Sequence, residues 1–277
     1  MFGTFGLLAA CSPLKTLNAV IPEDGYLATT DIAYGDLARQ KLDVYVPRNA
    51  QSAAKPVVVF FYGGSWDSGS RVDYKFVAES LTSQGFVVVI PDYRVYPEVL
   101  FPGFMADPAR AAKWVKQHAA EYGGDPQRVF LAGHSAGAHI AVMLTLDDEY
   151  LAVESLKPTD FRGTIGLAGP YDFLPLTSQR LKTIFGDAEN QQKAQPINFV
   201  TGKNPPMLLL VGKKDGTVWP RNTYRLAAKI KTAGGPVQVV DFENWGHIDL
   251  VAKLAKPLRG DGELLQPIAD FVRSHLD

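Results

Sequence analysis

The sequence predicts an α/β fold, a mostly parallel sheet covered by helices on both faces. Three observations point there. Apolar runs recur along all of the chain after residue 28, and several are continuous, as strands buried on both faces require. Helix-like stretches alternate with them, the pattern of a parallel sheet whose strands are joined by helical crossovers. No internal repeat, low-complexity tract or linker divides the 277 residues, so residues 29–277 are expected to form one domain.

The elements follow in order. "KLDVYV" (41–46) alternates and predicts an early antiparallel strand with one open face. "PVVVFFYGG" (56–64) and "FVVVIPDYR" (86–94) are uninterrupted apolar runs, as in strands covered on both sides. "VFLAGH" (129–134), "TIGLAG" (164–169), "MLLLVG" (207–212) and "VQVVDF" (237–242) supply four more strands. Helices are expected near 72–83, 106–121, 136–146, 221–233 and 262–276. The second of these has Asp107 as its candidate cap, Pro108 at the first helical position and a stop at Gly123-Gly124. Residues 171–206 are the least strand-like interval and predict a small cap insertion over the sheet edge, where it would shape a pocket.

Composition narrows the function. Charges nearly cancel, 28 Lys and Arg against 29 Asp and Glu, and no basic run offers a footprint for nucleic acid. A single cysteine, Cys11, excludes an internal disulfide and a cysteine-based zinc cluster. His134 and His139, five apart, do not share a helical face as two metal ligands would, and neither a metal nor a cofactor is expected.

The chemistry centres on "VFLAGHSAGAHIAVML" (129–144), a Gly-x-Ser-x-Gly placed between a strand and a helix. That context defines a nucleophile elbow, a tight turn that lifts the Ser135 hydroxyl clear of the backbone. A Cβ at Gly133 or Gly137 would crowd such a turn. Serine is a weak nucleophile without a base. His247 in "ENWGHIDL" follows the last strand on a loop freed by Gly246, whereas His118, His134, His139 and His275 sit in less suitable places. The imidazole needs an orienting carboxylate. Asp215, just past the strand 207–212, fits the chain order Ser–Asp–His best; Asp172 in "GPYDF" is the second candidate, and Asp187 and Asp241 fit less well. "FFYGGSW" (60–66) offers backbone N–H groups at Gly64 and Ser65 for a developing oxyanion, with Ala136 donating from the residue after the nucleophile. Trp66, Tyr171, Phe173 and Trp219 are candidate pocket walls.

Taken together, "YGGSW", "PDYR", "GGDPQRVFLAGHSAG", "GPYDF", "GKKDGTVWP" and "GH" (246–247) resemble the α/β-hydrolase superfamily. Within it they resemble carboxylesterases near the hormone-sensitive-lipase-like enzymes, the bacterial feruloyl and acetyl-xylan esterases and the kynurenine formamidases. The resemblance implies hydrolysis of a small carboxylic ester through an acyl-enzyme. Formamide hydrolysis and a catalytically inactive binding protein on the same scaffold are the alternatives. Members usually carry His-Gly-Gly where this chain has Tyr62-Gly63-Gly64, with Ser65 at a third glycine, so the side-chain bracing of that loop must differ. "PDYR" is expected to be structural.

The first residues, "MFGTFGLLAACSPLK", are apolar but too short to span a bilayer. They resemble a bacterial lipoprotein signal, in which Leu-Ala-Ala-Cys precedes cleavage and lipid attachment. That resemblance implies a signal at 1–11, lipid on Cys11, a tether over 12–28 and a place in the cell envelope, with a cytoplasmic location as the alternative.

Overall fold

The strand order explains how distant segments of this chain come to share one edge. In the computed structural model, which describes residues 17–18, 20–48 and 54–277, eight strands form one sheet in the order β1-β2-β4-β3-β5-β6-β7-β8. They are β1 (Tyr26–Ala33), β2 (Lys41–Pro47), β3 (Lys55–Phe61), β4 (Val87–Pro91), β5 (Gly124–His134), β6 (Gly163–Leu167), β7 (Met207–Gly212) and β8 (Val237–Phe242). β1 and β2 pair antiparallel, as do β2 and β4; every later pairing is parallel. The apolar runs are buried on both faces because alternate side chains meet different helices. In β7, Met207 and Leu209 pack with Leu226 and Ile230 of the helix Arg221–Thr232, whereas Leu208 and Leu210 join Leu250, Leu254 and Leu265 on the other face.

The helices Lys75–Thr82, Ala106–His118, Ala136–Leu146, Arg221–Thr232 and Leu265–Ser274 fall where their patterns place them. A 3₁₀ turn, Ala119–Tyr122, extends the second and stops at Gly123, whose φ of 72° is the left-handed turn expected there. The interval 171–206 is a cap of two short helices, Gln179–Phe185 and Ala188–Lys193, and a 3₁₀ turn, Pro196–Phe199.

Four readings need correction. β2 has no open face, because the segment around Arg71 covers the side expected to be open; Asp43 is only 1% exposed and accepts a 2.9 Å hydrogen bond from Arg71 Nε. Asp107 is not the helix cap: Met105 stands at that position, and the buried Asp107 carboxylate takes hydrogen bonds from Arg94 and Gln40. The stretch 12–28 does not hang free in its described part. Asn18 hydrogen-bonds Val72 and Phe76, Ile21 is buried, and β1 begins at Tyr26. Tyr171 is fully buried beneath the cap, not a pocket wall. Cys11 and the segment 1–11 lie outside the described residues.

The chain turns from one direction of strand addition to the other between β3 and β5, so these neighbours form a switch point where the following loops diverge. The loops that follow β3, β5, β6, β7 and β8 all leave the carboxyl edge of the sheet.

Candidate active site

At the elbow, Ser135 has φ 55° and ψ −121°, a conformation that side-chain-bearing residues rarely adopt. The surrounding glycines permit it. A Cβ on Gly133 would lie 2.3 Å from the Gly137 carbonyl, and one on Gly137 would lie 2.0 Å from the Phe61 carbonyl oxygen. The Ser135 N–H donates to Leu167 O at 2.9 Å, which ties the turn to the end of β6. The helix Ala136–Leu146 then runs into the core, with Ala136 through Thr145 all buried, and its positive end faces the serine.

His247 and Asp215 meet Ser135 from across the sheet. His247 Nε2 lies 2.9 Å from Ser135 Oγ, and His247 Nδ1 lies 2.8 Å from Asp215 Oδ2. A carboxylate oxygen only accepts, so the neutral imidazole carries its proton on Nδ1 and accepts the serine proton at Nε2. Asp215 is held in turn: its Oδ1 accepts the N–H groups of Thr217 and Val218 at 2.9 and 2.8 Å. The second candidate acid, Asp172, instead pairs with Arg225 at 2.8 Å.

The loop after β3 closes the third side. Gly64 has φ 139°, and Ser65 and Trp66 follow at 51° and 60°. The loop is pinned through the Gly64 carbonyl, which accepts from the N–H groups of Asp67 and Ser68 and from the Ser68 hydroxyl. Among the described residues, the N–H groups of Gly64, Ser65 and Ala136 have no acceptor, which leaves them free for an incoming oxygen. Gly63 lets the loop lie against the elbow, since a Cβ there would touch the Ser135 Cβ at 3.0 Å.

Tyr62 braces this loop. Its hydroxyl donates to Asp92 Oδ1 at 2.8 Å and accepts from Arg39 at 2.9 Å. Asp92 also pairs with Arg71. Tyr93 donates its hydroxyl to Tyr62 O at 2.7 Å, and Arg94 pairs with Asp107, so "PDYR" is structural.

Sequence reading did not anticipate two supports of the histidine loop. His134 Nε2–H donates to the His247 carbonyl at 3.0 Å, and Asp249 Oδ2 accepts the Gly246 N–H at 2.7 Å. Burial, then the nearby His247, pushes the His134 pKa down to about 3, so this ring is a neutral strut at ordinary pH. His139 is likewise pushed to about 4 by burial, and its Nε2–H donates to Ala194 O at 2.8 Å, tying the cap to the helix Ala136–Leu146. A carboxylate three residues after the loop glycine was the one signal for Asp249; nothing local marks His134, whose partner is 113 residues away.

A pocket of about 610 Å³ opens on Ser135, with Trp66, Phe173, Leu176, Leu181 and Trp219 among its walls. Among the described residues, no group of three or more His, Cys, Asp or Glu is placed to hold a metal ion.

The family model BD-FAE matches residues 42–230, which contain both glycine-rich turns and Asp215. The chain belongs to the BD-FAE family. A probable isoprenylcysteine alpha-carbonyl methylesterase of Arabidopsis thaliana is 29% identical over 265 residues, covering 87% of this chain and 55% of that protein. Esterase LipC of Mycobacterium tuberculosis is 31% identical over 208 residues, covering 69% of this chain and 52% of that protein. The chain thus spans little more than half the length of these relatives. Among solved structures, Thermogutta terrifontis esterase 2 superposes with a TM-score of 0.71 at 26% identity, covering 91% of this chain and 94% of that one. The architecture of this BD-FAE member is the α/β-hydrolase fold.

Proposed function

We propose that this BD-FAE member is a carboxylic ester hydrolase acting through an acyl-enzyme on Ser135. The observation that carries the proposal is the unbroken hydrogen-bond sequence Ser135–His247–Asp215 beside three unpaired backbone N–H groups. Ser135 Oγ attacks the ester carbonyl as its proton passes to His247 Nε2. The carbonyl oxygen gains negative charge and accepts hydrogen bonds from Gly64, Ser65 and Ala136, donors worth about 3 kcal/mol each in comparable sites. The imidazolium, held by Asp215, gives the proton to the leaving alcohol. Water then enters, loses its proton to His247 and releases the acid by the reverse sequence.

The relatives support this reading. Two are named as esterases, and Thermogutta terrifontis esterase 2 has been seen phosphorylated by paraoxon and with propionate bound. Ser135→Ala is expected to keep the thermal midpoint of the wild type, lose turnover of a short p-nitrophenyl ester and escape fluorophosphonate labelling. Turnover retained by this variant would remove Ser135 from the chemistry.

The pattern around Cys11 supports a lipid tether at the cell envelope. Fatty-acid incorporation lost in Cys11→Ser is the expected result, and an unlabelled wild type would count against the tether.

A further inference from the structure

Among the described residues that line the reactive pocket, one side chain is charged, and no hydrogen bond or ion pair engages it. Arg221 lines the pocket that opens on Ser135. Its guanidinium rests over the Trp219 ring, 4.4 Å from the centroid, and among the described residues it meets no carboxylate, carbonyl or hydroxyl. Every other arginine of the chain donates a hydrogen bond or forms an ion pair. The acids that adjoin the pocket walls are each already engaged: Asp67 with Arg180 at 2.7 Å, Asp172 with Arg225 at 2.8 Å, and Asp215 with His247 at 2.8 Å. Arg221 is exposed to solvent, and none of these acids pairs with its charge. It also stands at the first residue of the helix Arg221–Thr232, whose first turn contains no acid. A cation there opposes the helix dipole, so local stability gives no reason for it.

We infer that Arg221 is a specificity-determining residue that receives a carboxylate borne by the substrate at a point remote from the scissile ester. A planar guanidinium presents paired N–H donors matched to the two oxygens of a carboxylate. Stacking on Trp219 limits the rotamers that must be ordered when the anion arrives. The remaining walls, Trp66, Phe173, Leu176 and Leu181 among them, are apolar and suit the hydrocarbon between ester and carboxylate. The inference rests on the ester-hydrolase reading and names its substrate class: an ester that carries a second, ionised carboxyl group.

The test uses esters of matched shape that differ in a distal charge. On the acyl side these are p-nitrophenyl hydrogen adipate and its terminal amide; on the alcohol side, 4-acetoxybenzoate and 4-acetoxybenzamide. The ratio of kcat/KM, anion over amide, is measured for wild type, Arg221→Gln and Arg221→Lys. In one of the pairs this ratio is expected to fall about tenfold in Arg221→Gln, to survive in part in Arg221→Lys and to decline with salt in the wild type. A ratio unchanged by Arg221→Gln in both pairs overturns the inference, while turnover of the neutral amides still reports ester hydrolysis. Should neither neutral ester react, the hydrolase reading fails, and calorimetry on Ser135→Ala decides the subsite separately. Adipate or 4-acetamidobenzoate binding that weakens about tenfold on adding Arg221→Gln supports it; unchanged binding overturns it.

Discussion

Replacing Asp215 by Asn isolates what the carboxylate does for His247. Asp215 Oδ1 accepts two backbone N–H groups, from Thr217 at 2.9 Å and Val218 at 2.8 Å. An amide NH2 placed there would face two donors, so the Asn oxygen must take that position and the NH2 must turn toward His247 Nδ1. The ring nitrogen at 2.8 Å then has to accept rather than donate. The imidazole proton moves to Nε2, which points at Ser135 Oγ and can no longer receive its hydrogen. The substitution is nearly isosteric and leaves the site's geometry in place while inverting the tautomer. By analogy with the same exchange in serine proteases, kcat falls about 10⁴-fold, or about 5 kcal/mol of transition-state stabilisation. The assay is steady-state hydrolysis of a short p-nitrophenyl ester, with thermal unfolding to show that the fold survives. A loss below tenfold in a folded Asp215→Asn protein would refute the argument that this carboxylate sets the tautomer.

Two further outcomes follow from the same geometry. Gly137→Ala places a methyl group 2.0 Å from the Phe61 carbonyl oxygen at the switch point, and backbone cannot yield as a side chain can. A loss of about 3 kcal/mol in unfolding free energy is expected, together with loss of esterase activity, and a midpoint equal to the wild type's in urea would contradict it. Acid stability depends on the buried histidines. His139 is neutral in the fold, with its pKa lowered from 6.5 to about 4, so between those values the unfolded chain binds more protons and stability falls as pH falls. The loss begins below about pH 6.5 and reaches about 3 kcal/mol by pH 4. Urea titrations from pH 7 to 4 should show a shallower acid decline for His139→Gln, whose amide can still donate to Ala194; equal slopes would argue against the assignment.

The parts of the fold that were legible are those in which one local signal decides the outcome. β7 is a continuous apolar run because it is covered on both faces, and the helix Ala136–Leu146 begins and ends where its small and apolar residues do. β1 gave no such signal: on the sheet's outer edge most of "YLATTDIA" faces solvent, and pairing with β2 decides its conformation. Asp107 looked like a cap because its position before Pro108 is locally apt; the half-buried Arg94, 13 residues away, claimed it instead. The glycine-flanked serine, the late histidine and the acid after a strand could be named from spacing and chain order. The His134 strut and the unpaired state of Arg221 could not, because both depend on which distant groups arrive beside them.

The sequence by itself determined the alternation of buried strands and helices and the residue types able to perform acyl transfer, since periodicity and turn chemistry act over a few neighbours. Only the tertiary structure decided that positions 135, 215 and 247 share hydrogen bonds, which carbonyls and carboxylates were already taken, and which charge was left over. Hydrogen bonding acts within about 3 Å, and segments more than a hundred residues apart come that close only when strand pairing sets their ends on one edge.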